Sequence, residues 1–211
     1  MPRTAKERAV DLLLTSYLIH DAFNRCNVDS LSETKLQKLI FLSEKLMIDQ
    51  HHKGFNYHYI RLTHGPYSPE LRSNLGIFIQ IGALNESNLE PTNYIKNILE
   101  DFNDVICKNN IYIEKINAIN NTFSQVPLSK LLKFVYSMPW GIGKKIKDLS
   151  QRTPMLYPMK TGYTSEFELN DNEVEDLLMN FDPEALENLE QSSEDMRKGR
   201  ILTYEQIFTS F

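Results

Sequence analysis

The chain holds only two cysteines and eight glycines in 211 residues, and it has no long apolar run. Cys26 and Cys107 share no CxxC spacing. They read as free, buried thiols of a protein kept in a reducing cytosol. So few glycines argue against a glycine-cradled nucleotide fold and against a loop-rich β-sandwich. No stretch approaches 18 apolar residues, so no transmembrane helix is expected and no membrane partner is assigned. The N-terminal run from Met1 to Arg8 carries charges where a signal peptide would place an apolar stretch and a small-residue cleavage site. What is present is core material: 26 leucines and 18 isoleucines, in a chain that is 41% hydrophobic. That composition excludes wholesale disorder and suits one substantial core with, at most, a small appendage.

Charge is unevenly spread. Residues 1–160 hold 20 Lys and Arg against 15 Asp and Glu, whereas residues 161–211 hold 3 against 13. The net of −5 is therefore +5 in one part and −10 in the other. The basic excess is densest at Lys130, Lys133, Lys144, Lys145, Lys147, Arg152 and Lys160. We read a body over 1–160 and an acidic, partner-binding segment over 161–211. The plainer alternative is that the opposite charges fold back on one another or face solvent separately.

The apolar periodicity is mostly helical. Residues 5–24 form one helical stripe. Capping boxes at Ser30 or Thr34 would open a second helix running through Ile48. Phe55 to Thr63 alternates and predicts a strand, with Gly65-Pro66 as its turn. Ser68-Pro69-Glu70 supplies an N-cap, a proline at N1 and an acid for a helix ended by Gly82. Ala83 to Leu89 suits a short second strand. Thr92 to Lys108 reads as one amphipathic helix. Asn109-Asn110 breaks it before a stripe of Ile113, Ile116, Ile119 and Phe123, and Pro127 opens a further helix. Phe167-Glu168-Leu169 is strand-like. Asn170 or Asn172 caps a helix through Met179, and Asp182-Pro183-Glu184 opens another to about Lys198. The fold class is thus mainly α (α+β), with a small β element around residues 55–90 and a C-terminal helical appendage. Helix, strand, turn and helix share the outline of a winged helix.

Three segments, in order, resemble one family. Lys35, Leu36, Gln37, Lys38 and Leu39 are similar to the opening motif of the Panacea, or SocA-like, domain. Gly65, Pro66, Tyr67 and Ser68 resemble its central segment, which the small YwgA-like proteins share. Residues 128–136 with Trp140 resemble its closing helix and terminal tryptophan. His64 stands where the family often has an aromatic. The resemblance covers about residues 8–140 and implies a compact multi-helix body. It further implies a non-enzymatic antitoxin of a bacterial or phage toxin–antitoxin system, one that neutralises a cognate protein toxin by contact. Delivery of that toxin to a protease is a further role the family implies.

Residues 186–208 resemble the toxin-binding ends of small, unrelated bacterial antitoxins: an acidic helix and then an apolar stretch. The candidate anchors are Leu186, Leu189, Met196, Ile201, Leu202, Tyr204, Ile207 and Phe208. Negative charge would steer the segment to a basic cleft, and the anchors would hold it there. The competing assignment docks these residues on the chain's own body.

Other constellations are weak. His51, His52, His58 and His64 cluster in sequence without converging carboxylate support, so no metal is assigned. Gly141-Ile142-Gly143-Lys144-Lys145 lacks P-loop spacing. Cys26 with any histidine as a nucleophile pair lacks a supporting local signature. Glu173, Glu175 and Asp176 read as a solvated face. No catalytic residue and no cofactor is assigned. The basic stretch, with Tyr136, Trp140 and Tyr157, leaves operator DNA open as a partner.

Overall fold

The computed structural model describes residues 2–156 and 162–198. It is mainly helical, and two long helices form its centre. Helix α1 (Ala5–Asn24) opens with a capping box in which Thr4 and Glu7 satisfy each other's backbone N–H. Helix α2 (Glu33–Asp49) is capped by Ser32, whose hydroxyl accepts from the Lys35 N–H, so neither box expected at Ser30 or Thr34 is used. Leu13, Leu14, Leu18, Leu36, Leu39, Ile40 and Phe41 are fully buried where these helices meet their neighbours.

Around that pair lie α3 (Pro69–Gln80), α4 (Asn93–Asp101), α5 (Asn103–Lys108), α6 (Asn110–Phe123), α7 (Leu128–Ser137) and α8 (Asp171–Asn180). Helix α6 packs on both α1 and α2, α4 and α8 pack on α1, and α7 packs on α2. Helix α3 starts at Ser68 with Pro69 at N1. Gly82, with φ 70°, follows its end in the left-handed conformation that glycine tolerates. The expected helix over Thr92 to Lys108 is two pieces. Phe102 leaves helical geometry (φ −98°, ψ 18°), so Ile98 and Leu99 on one piece, and Val105 and Ile106 on the other, bury independently.

The β structure is slight. Strands β1 (His52–Lys53) and β5 (Ser165–Glu166) pair in parallel. Strands β2 (Tyr59–Leu62), β3 (Gly65–Tyr67) and β4 (Pro154–Met155) form an antiparallel sheet in the order β3-β2-β4. Ile60 stands opposite Tyr67 and Leu62 opposite Gly65, so the turn falls at Thr63-His64 and Gly65-Pro66 belongs to the strand. The strand expected from Phe55 starts only at Tyr59. Phe55, Asn56 and Tyr57 are all buried, and the Asn56 N–H donates to the Asp11 carboxylate at 2.7 Å instead of to a ladder. Residues 83–89 form no strand among the described residues; a single bridge joins Leu84 to Pro91, and Leu89 has φ 56°.

Strand pairing also stops short of Phe167-Leu169. The Asn109 amide brackets that backbone: Nδ2 donates to the Glu168 carbonyl at 2.9 Å, and the Glu168 N–H donates to Oδ1 at 2.8 Å. Phe167, Leu169, Val174, Leu177 and Phe181 enter the same core as α1 and α2. Residues 163–181 therefore pack as part of the body, and the exposed element begins after Phe181. That element is α9 (Pro183–Arg197), none of whose residues is buried. Both thiols are free, but burial does not explain them: Cys26 is half-buried and Cys107 exposed. Among the described residues no helix is long and apolar enough to cross a membrane.

Candidate functional site

Segments about thirty and a hundred residues apart meet at the start of α3. On the buried face of α2, the Gln37 amide lies flat against the backbone of Ser68. Its Nε2 donates to the Ser68 carbonyl and its Oε1 accepts the Ser68 N–H, each at 2.9 Å. Gln37 thus stands in for a neighbouring strand just past the last β2–β3 pair. Beside it, Lys38 Nζ donates to the Pro66 carbonyl at 2.6 Å. Lys38 is only 2% exposed, and burial pulls its ammonium down to about 8, with Glu33 opposing. Gly65, at φ 88°, passes against the Lys38 stem in a conformation that side-chain-bearing residues rarely adopt.

The third segment closes the junction. The Tyr136 hydroxyl donates to the Thr63 carbonyl, and the Arg61 guanidinium sits 5.9 Å from the Tyr136 ring centroid. Trp140 is half-buried, with its ring 6.2 Å from Phe41, which itself meets Tyr59 edge-on at 5.2 Å. Lys35, half-buried, stays outside this hydrogen-bonded junction, while Leu36 and Leu39 are core. A cleft of about 530 Å³ opens beside it, lined by Thr34, Lys38, Leu62, His64, Tyr67 and Arg72. The buried amide and ammonium are committed to backbone, so the junction does structural work: it seats the small sheet on α2.

A second polar cluster is invisible in the sequence pattern. Asp11, on α1, is fully buried and pairs with the Arg3 guanidinium at 2.5 Å while accepting the Asn56 N–H. Burial pushes its carboxyl up to about 7; Arg3 opposes this and Glu44 adds to it. Nearby, the Tyr57 hydroxyl lies 2.9 Å from Thr15 Oγ1 and accepts from Asn74 Nδ2 at 3.0 Å. Burial raises the Tyr57 hydroxyl far above the usual tyrosine range. Asp11 is covered where Arg3 and residues 55–57 return onto α1, and no local periodicity announces that.

Of the candidate anchors, Leu186, Leu189 and Met196 lie on α9. Asp182 caps that helix, accepting from the Glu184 N–H at 3.0 Å. Leu186 is half-buried, Leu189 is 54% exposed and Met196 64% exposed. Around them stand Glu184, Glu187, Glu190, Glu194 and Asp195, with Arg197 as the one cation of the helix. Ile201, Leu202, Tyr204, Ile207 and Phe208 lie outside the described residues. The lysines at 130, 133, 144, 145 and 147 and Arg152 are exposed, and among the described residues no ion pair joins them to the C-terminal acids.

Of the three acids read in sequence as a solvated face, Glu175 and Asp176 are exposed and Glu173 is half-buried. Glu173 and Asp176 on α8 face Asp101 and Asp104, at the end of α4 and the start of α5, across a groove of about 510 Å³. Met179, Leu186 and Leu189 supply apolar surface there, and the buried Phe102 and Val105 close its base. No family model matches the chain, and no curated protein and no solved structure matches it.

Proposed function

We propose that the protein is an antitoxin that neutralises a cognate protein toxin by direct contact, with its C-terminal acidic segment laid over a basic cleft of that toxin. One observation carries the reading. Helix α9 buries none of its residues, bears five carboxylates against one guanidinium, and still exposes Leu189 and Met196. An isolated helix of this length is marginal in water without a surface to pack on. Large apolar side chains amid like charge suit an interface in which charge steers association and a few anchors hold it. The resemblance of residues 35–39, 65–68 and 140 to the Panacea domain supports the same reading. In it, the Gln37–Ser68 junction keeps the body rigid as a platform for the helix.

Growth rescue tests the proposal. Co-expression with the product of the adjacent reading frame is expected to relieve that product's toxicity. Leu189→Asp combined with Met196→Asp, present at equal steady-state level, is expected to lose the rescue. A double variant that rescues as well as the parent removes α9 from the mechanism, and a neighbour that is harmless on its own removes the antitoxin reading.

A further inference from the structure

We propose that the groove between the α4–α5 junction, α8 and α9 receives a cationic, amphipathic segment of a partner protein. Asp101, Asp104, Glu173 and Asp176 rim it, and no lysine or arginine is among the residues that line it. Glu173 also accepts the Asn170 N–H in the α8 capping box, and the four carboxylates together favour a cationic ligand over an anionic one. Met179 at 48% and Leu189 at 54% exposure give the same groove an apolar wall that water covers poorly.

These two properties together select the ligand. An anion is repelled. A purely apolar segment leaves the carboxylates unneutralised. A bare metal ion lacks a nest, since among the described residues no three His, Cys, Asp or Glu side chains converge to hold one. A segment with Lys or Arg along its flanks and Leu, Ile, Val or Phe on its underside matches both features at once. The groove's volume is that of a site taking a few side chains. Exposed α9 supplies one wall through Leu186 and Leu189, so the groove and the helix can grip one partner from two sides.

The inference rests on the reading of the chain as a partner-binding protein and adds the body's own share of the interface. It is tested with the full chain and a fluorescein-labelled amphipathic peptide of lysine and leucine in helical period, followed by anisotropy. The expected result is saturable binding that weakens at least about tenfold in Asp104→Lys with Asp176→Lys, a loss near 1.4 kcal/mol. Asp29→Lys with Glu86→Lys changes the net charge equally, at exposed acids that do not line the groove, and is expected to shift binding by less than about twofold. Met179→Ala is expected to weaken binding without changing charge. Equal weakening by the two charge-reversed variants would reduce the effect to bulk attraction and overturn the proposal, as would failure of the peptide to bind. Ultracentrifugation adds a further arm: a parent dimer that Asp104→Lys with Asp176→Lys dissolves would give the groove to a second copy and overturn it too. Growth rescue and peptide binding are separate readouts, so loss of one with retention of the other tells which proposal has failed.

Discussion

Gln37→Leu is expected to lower the unfolding free energy by about 3 kcal/mol. Leucine fills a similar volume, so little cavity opens. What is lost is the pair of hydrogen bonds to Ser68, whose N–H and carbonyl are left in a site that excludes water: Gln37 is 1% exposed and Ser68 fully buried. Each buried backbone group without a partner costs about 1–3 kcal/mol. Burial alone would make leucine the better residue here, which is why the substitution discriminates. Urea unfolding of the two proteins at neutral pH measures the effect. A loss below about 1 kcal/mol would mean that the amide does not seat the sheet on α2.

Asp11 is expected to give the protein a pH-dependent stability of unusual sign. Most folded carboxylates are held below their ordinary value and stabilise as pH rises. Burial places this one near 7, above the value near 4 of an unfolded chain. The folded state therefore holds the Asp11 proton more tightly than the unfolded state does. Its contribution is complete below about pH 4 and is lost as pH climbs through 7. Three units of difference correspond to about 4 kcal/mol. Asp11→Asn cannot titrate and keeps an acceptor for the Asn56 N–H. The stability of the parent relative to Asp11→Asn is thus expected to fall by up to about 4 kcal/mol between pH 4 and pH 8. A difference that stays constant within about 1 kcal/mol across that range would show that Arg3 holds the carboxylate ionised throughout.

Local chemistry made much of the fold legible. Ser68, Asn170 and Asp182 each offer a cap beside a proline or an acid, and helices begin at those places. Their stripes of leucine and isoleucine report burial because a 3.6-residue period admits few alternatives. Two of the misreadings share one physical cause: distant side chains took up backbone groups that a strand would have used. Asp11 claims Asn56 and Asn109 claims Glu168, so the strands expected at 55–63 and 167–169 are shortened or displaced. Helix α8 carries a surface-like sequence, yet Val174, Leu177 and Phe181 bind residues 163–181 to the body.

The candidate sites divide in the same way. Leu189 and Met196 could be named from sequence because an apolar residue on an otherwise acidic helix is locally conspicuous. The groove could not, because Asp101 and Asp104 lie some seventy residues from Glu173 and Asp176. Only the packing of α4 and α8 on α1 brings those pairs together.

The most direct measurement is calorimetric titration of the full chain against the product of the adjacent reading frame, for the parent and for Leu189→Asp with Met196→Asp. Circular dichroism confirms that both keep the same helical content. The expected result is a stoichiometric complex with the parent and a loss of affinity of at least about a hundredfold in the double variant, as for removal of two central anchors. Equal affinity in the two proteins, or no heat of binding with the parent, would contradict a C-terminal helix built to hold a partner.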